Sequence, residues 1–250
     1  MGTGPPTLLV FTRGARRERL RRPLLPGRHA AAELELRRHC LESTLAAGRA
    51  AGCRLEVSSP APLTLPGDVR RSRQHGSGFG ERLEAACRSA AASAAGPLVV
   101  VGTDVPGLSA DHLRQALHAL AADPASVVLG PSPDGGFYLL AAARPLPGLA
   151  ALTRWCRHDT LARLRAALAA AGRRVVLLAP LADLDRRGDL ERWLARAPQR
   201  PLPALWRAVV RRLVELLDRL LRPLPAPPPN LPRPLPVAVR APRGPPRRRR

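Results

Sequence analysis

The sequence predicts an α/β fold of three layers, α/β/α, on a mostly parallel central sheet. Two observations carry this. Short unbroken apolar runs, Leu98–Val101 the clearest, lack the alternation of a half-wetted strand and read as strands covered on both faces. These runs alternate with longer segments whose apolar residues recur at helical spacing, the mark of strand-helix-strand units. At 250 residues the chain can bury one sizeable core with something left over.

Taken in order, Leu8–Thr12 reads as a short buried strand, opening into an arginine-crowded loop over Arg13–Arg28. Helix is expected from about His29 to Ala51, where Leu34, Cys40, Leu41, Thr44 and Leu45 make one apolar face. Leu55–Val57 is a second strand. Pro60, Pro62, Pro66 and Gly67 then mark a loop ending near His75–Leu83, "HGSGFGERL". Helix resumes from about Glu81 to Ala94, strand at Leu98–Val101, and helix after Ser109 as its N-cap. Ser126–Leu129 and Phe137–Ala141 are strands flanking "GPSPDGG". A helix over about Asp159–Ala170, a strand at Val175–Leu178 and a short helix near Leu190–Arg196 follow.

After Arg196 the character changes. Residues 1–198 are expected to form the main domain and 199–222 to carry an amphipathic helix, Ala204–Leu221. The Pro/Arg-rich tail, 223–250, lacks the composition for a packed core and is expected to be disordered or extended.

The net charge of +22 comes entirely from arginine, since lysine is absent. Thirteen of the 41 arginines lie in Arg200–Arg250 against two acids, so the excess concentrates in the last fifth of the chain. Cys40, Cys53, Cys87 and Cys156 form no C-x-x-C pair, which disfavours a zinc knuckle and fits reduced thiols in a cytoplasmic protein. "MGTGPPTLLVFT" lacks the pattern of a signal peptide, and no stretch approaches the ~20 apolar residues of a membrane span. With three Phe, three Trp and one Tyr, base-stacking platforms for nucleic acid are not expected.

Against this basic background, acids gather in three loops at predicted strand ends. Asp104 follows Leu98–Val101 in "GTDVPG"; an Asp before X-Pro also makes a good turn. Asp134 precedes Gly135-Gly136, which either permits close backbone approach to a ligand or forms a plain hairpin turn. In "LADLDRRGDL", Asp183 and Asp185 point to one side if extended, whereas Asp185 or Asp189 could instead cap the last helix. In parallel sheets ligands sit at the strands' carboxyl ends, at a switch point. Mg²⁺ or Mn²⁺ held by such carboxylates, with arginines attracting phosphorylated substrate, is the chemistry this pattern suggests.

With those loops in this order, the chain resembles the type-one radical-SAM/selenodomain-associated transferases. They are a branch of the nucleotide-diphospho-sugar transferase (GT-A) fold, related to the molybdenum-cofactor and deazaflavin-cofactor guanylyltransferases. The resemblance runs over roughly Thr7–Leu194 through "LLVFTR", "HGSGFGERL", "VVVGTDVPGLSADHLRQAL", "VVLGPSPDGGFYLL", Trp155 and "ADLDRRGDL". It implies a metal-binding Asp104, a second carboxylate from Asp183 or Asp185, and an acceptor side lined by Asp134-Gly135-Gly136. It also implies that Gly80-Glu81-Arg82 and Thr103 border the nucleotide and that His158-Asp159-Thr160 approach the acceptor. The chain departs from the family at the first loop. A Pro-Gly-x-x-Lys-Thr-Arg-Leu phosphate grip is replaced by about "RERLRRPL", Arg17–Leu24, with Arg21 at the lysine position and Pro23 at the arginine position.

Two functions follow as expectations. One is metal-dependent glycosyl or nucleotidyl transfer from a nucleotide-sugar or nucleoside triphosphate to a small-molecule acceptor. In it Asp104 and Asp134 act at the reacting groups and Arg13, Arg16, Arg21 and Arg22 screen phosphate charge. The other is a non-catalytic descendant that binds an anionic partner through its arginines. For that reading the helix over Ala204–Leu221 could lie on an anionic membrane surface, or else pack back on the sheet domain.

Overall fold

The computed structural model describes residues 4–196 and 204–221. One seven-stranded sheet runs through the molecule. Its strands are β1 (Thr7–Phe11), β2 (Arg54–Ser59), β3 (Val69–Arg73), β4 (Leu98–Val101), β5 (Val127–Pro131), β6 (Phe137–Ala142) and β7 (Val175–Leu177), in spatial order β3-β2-β1-β4-β6-β5-β7. β6 runs antiparallel to β4 and β5, and every other pairing is parallel. The order reverses between β1 and β4, which opens a crevice at their carboxyl ends.

The central strands β1 and β4 are apolar because both of their faces are covered. Leu8, Val10, Val99 and Val101 point into one core and Leu9, Leu98 and Val100 into the other. On the first face lie α2 (Ala30–Ala50) and α4 (Ala110–Ala122); on the second lie α3 (Phe79–Ala92) and α5 (Thr160–Ala170). Ser109 is the N-cap of α4, and its backbone N–H donates to His112 Nδ1 at 3.2 Å.

Two expected loops contain regular structure. Inside Arg13–Arg28 the chain forms α1 (Ala15–Arg21), a helix with no buried residue and so no apolar periodicity to announce it. Its anchor is electrostatic. Glu33 on α2, fully buried, accepts from Arg37 Nε at 3.0 Å and from Leu25 N–H at 3.1 Å, with Arg19 Nε 3.6 Å away. The second is β3, placed by sequence in a loop. It is an edge strand of sequence VRRSR, and charge on an edge is how sheets discourage further pairing.

A third core joins α2 to α6 (Arg187–Arg196) and α7 (Ala204–Leu221). Val209, Val210 and Leu213 are buried there with Leu36, Cys40, Leu190 and Leu194, and Arg212 pairs with Glu35 at 2.7 Å. These three apolar residues of α7 therefore face the domain rather than a membrane. Among the described residues no helix is long and apolar enough to cross a bilayer. The expected Pro/Arg tail at 223–250 lies outside the described residues.

Candidate active site

The antiparallel β6 brings its first residues to the carboxyl end of β4, with Val101 opposite Leu139. The turn that precedes β6 therefore arrives beside the loop that follows β4. This turn is a hairpin, as Asp-Gly allows: Ser132 N–H donates to Gly136 O at 3.0 Å, and Gly136 N–H to Asp134 Oδ1 at 2.9 Å. It also docks on its surroundings. Gly135, at φ +88°, approaches His158 so closely that a Cβ would overlap the His158 carbonyl oxygen, and its own carbonyl accepts from Leu161 N–H at 3.0 Å.

The segment after β7 crosses the strand ends. Leu178 N–H donates to Leu129 O at 3.0 Å, Leu181 N–H to Pro131 O at 3.1 Å and Leu184 N–H to Asp104 O at 2.8 Å. This ladder carries the chain from β5 across to β4. Leu184 is buried in the third core, so its neighbours Asp183 and Asp185 turn the other way, into the crevice. Helix capping falls to Asp189, whose carboxylate accepts from Arg186 N–H at 2.8 Å and Asp185 N–H at 3.2 Å.

The result is a cleft of about 400 Å³ lined by Asp104, Asp134, Asp183 and Asp185 together. One carboxylate oxygen from each of Asp134, Asp183 and Asp185 lies within 4.8 Å of the others. Asp104 borders the same cleft but stands outside that compact trio. Burial raises the Asp183 carboxyl to about 7, helped by the charges of Asp134, Asp104 and Asp185. Burial likewise raises Asp104 to about 6, with Asp185 the next contributor. Clustered oxygen donors whose ionisation is opposed by burial and by one another suit a hard divalent cation, which would relieve that repulsion.

The cleft is lined by basic groups as well. Arg13, Arg21, Arg22, Arg37, Arg157 and Arg186 line the cleft. Arg13 donates to Glu18 at 3.3 Å, and Arg22 forms an ion pair with Asp185. Thr103 Oγ1 lies 3.0 Å from Thr12 Oγ1, joining the ends of β4 and β1 at the cleft floor. Arg16 is exposed on α1 and lies outside the lining.

The Gly80-Glu81-Arg82 triplet opens α3 beside the cleft, between Phe79 and Leu83 of its lining. Gly80 is buried beneath Trp155, whose indole would overlap any Cβ there. Glu81 accepts from Ser77 N–H at 2.8 Å and from the Ser77 hydroxyl at 2.6 Å at the start of α3. Arg82 lines a neighbouring groove with Arg13, Arg17 and Arg21. Sequence reasoning also passed over Arg37 and the rings of Phe11, Phe79 and Phe137, all of which line the cleft. Arg37 sits mid-helix beside Arg38 with no local signal; the scarcity of phenylalanine was the available clue to the rings.

Residues 35–157 match the model of the family described as "Uncharacterized protein conserved in bacteria (DUF2064)". No curated protein matches the chain. Among solved structures, a candidate nucleotide-diphospho-sugar transferase from Desulfovibrio desulfuricans superposes with a TM-score of 0.70 at 20% identity, over 85% of this chain and 97% of that one. A homologue of Mycobacterium tuberculosis Rv0371c from Mycobacterium sp. strain JC1 gives 0.50 at 21% identity, over 78% and 97%. The chain shares their fold.

Proposed function

We propose that the protein is a metal-assisted transferase that moves a nucleotidyl or glycosyl group from a nucleotide donor to a small acceptor. The observation that carries this reading is the meeting of Asp104, Asp134, Asp183 and Asp185 from three separate loops in a cleft that arginines also line. Asp183 and Asp185, with Asp104 behind them, would hold Mg²⁺ or Mn²⁺. The bound ion would neutralise charge developing on the donor's phosphates.

Arg13, Arg21 and Arg22 draw the phosphates to the α1 side, and Arg37, fixed by Glu33, adds its charge to the same cleft. A Mg²⁺ site needs only one or two carboxylates, so not all four are required for the metal. Asp134 is the exposed member and is assigned to the acceptor. Its carboxylate takes the proton as the acceptor hydroxyl oxygen attacks the α-phosphorus or the sugar carbon. Pyrophosphate leaves in the first case and the nucleoside diphosphate in the second. This assignment extends to the transferase branch that the motifs resemble, with α1 in place of its phosphate loop.

A second reading has one observation in its favour. Arg22 already occupies Asp185, as an internal cation would in a binder that has lost the reaction. A thermal-shift screen of nucleoside triphosphates and nucleotide sugars, with and without Mg²⁺ or Mn²⁺, separates the two. Stabilisation that needs both the metal and one nucleotide class supports the transferase. A nucleotide response indifferent to metal supports the binder.

A further inference from the structure

All three phenylalanines of this chain, its sole tyrosine and one of its three tryptophans line the same cleft. Among the described residues the cores otherwise hold no aromatic ring apart from Trp193 of α6. Core filling alone does not require that concentration, because leucine and valine fill the interior elsewhere.

Four of these rings form a continuous wall. Phe11 and Phe79 meet edge to face with centroids 5.4 Å apart, Phe79 and Trp155 lie 5.4 Å apart, and Phe137 and Trp155 6.1 Å. Each packs against the second-face core and remains partly exposed. The wall is held in place: Trp155 Nε1–H donates to Ala150 O at 2.9 Å, and the missing side chain at Gly80 makes room for the indole. A rigid, half-exposed aromatic surface in a cleft presents π-faces and edges that another ring can meet in stacked or T-shaped contact.

The rings come from the ends of β1, α3 and β6 and the loop before α5, where Arg13 and Arg157 also line the cleft, whereas Arg21, Arg22 and Arg37 enter from α1 and α2, which carry no ring of the wall. Phosphates belong with these last three arginines, so the rings face the other substrate. We propose that the aromatic wall receives a planar, uncharged ring of the acceptor, seated against Trp155 and Phe79 with its hydroxyl directed toward Asp134. The inference rests on the cleft being a two-substrate transfer site.

Saturation-transfer NMR on the full chain, without nucleotide or metal, tests it. The probes are 2-phenylethanol and its saturated counterpart, 2-cyclohexylethanol. The expected result is saturable transfer to the phenyl protons, at least fivefold weaker binding of the cyclohexyl probe, and at least fivefold loss in both Trp155→Leu and Phe137→Leu. Phe137→Leu keeps the test alive if the Trp155 variant fails to fold. ATP and GTP with Mg²⁺, which is diamagnetic, should leave the phenyl signal in place. Equal binding of the two probes, or full binding in Phe137→Leu, overturns the proposal. Displacement of 2-phenylethanol by a nucleotide whose base protons lose transfer in Phe137→Leu also overturns it, by giving the wall to the donor's base. Because no metal or nucleotide is needed for the probe, failure here leaves metal-dependent nucleotide stabilisation untouched.

Discussion

The backbone N–H of Leu184 donates to the carbonyl of Asp104 at 2.8 Å, while the Leu184 side chain is buried among Leu36, Cys40 and Leu190. One residue thus ties the third acidic loop to the first and anchors it in the core, so Asp183 and Asp185 face the cleft. Leu184→Ala should cost about 2–4 kcal/mol of stability and also weaken Mn²⁺ binding, although no carboxylate is removed. Leu190→Ala, equally buried in the same core, should lose similar stability and keep the metal affinity. Titration calorimetry beside thermal melts distinguishes the two; identical Mn²⁺ affinities would show that Leu184 does not position the loop.

The raised carboxyl of Asp183 predicts a pH dependence. At about 7 it lies well above the ordinary carboxyl range near 4. The folded protein therefore keeps a proton that the unfolded chain gives up. Stability from this group is complete below about pH 4 and is lost as pH rises through about 7. Asp183→Asn, neutral throughout, should make the metal-free protein more stable than wild type at pH 8 by about 1–2 kcal/mol after allowance for partial exposure. The advantage should shrink toward pH 4 in urea denaturation. A constant difference from pH 4 to 8 contradicts the assignment.

Arg22 pairs with Asp185, so the metal ion proposed for that site would have to displace it. Removing the guanidinium in Arg22→Ala should tighten Mn²⁺ binding several-fold in the absence of nucleotide, and weaken nucleotide binding in the presence of metal. Opposite signs in the two titrations are the signature. A parallel loss of both would mean that Arg22 supports the site rather than guarding it.

At Gly135 the positive φ and the contact with His158 O exclude a side chain. Gly135→Ala should destabilise the protein by about 1–3 kcal/mol and free the hairpin that carries Asp134. Hydrogen exchange at Leu161, whose N–H is bonded to Gly135 O, should quicken even where the global melt changes little. Unchanged exchange there would argue against docking of the hairpin.

Much of the fold is legible in the sequence because its strands are short apolar runs and its main helices carry apolar periodicity. β4 falls at the expected residues, and α2, α4 and α5 within one or two. What was hidden is held by charge or by topology. α1 buries nothing and depends on Glu33, 12 positions beyond its last residue, while β3 is an arginine-rich edge. The acidic loops stood out as turns at strand ends, but their convergence depends on antiparallel β6 and on the ladder after β7. The packing of Gly80 against Trp155 and the bond from the Ser77 hydroxyl to Glu81 could not be read from the motif. Phe11 and Phe79 are 68 positions apart and become a wall only in three dimensions.

The most direct test of the central claim is Mn²⁺ titration calorimetry at pH 7.5, with and without a saturating nucleotide. Metal and donor sharing one seat must strengthen each other's binding by the same factor. The account predicts at least tenfold tighter Mn²⁺ with nucleotide bound, and loss of that gain in Asp183→Asn and Asp185→Asn. Mn²⁺ affinity indifferent to nucleotide, or unaltered in both variants, would contradict it.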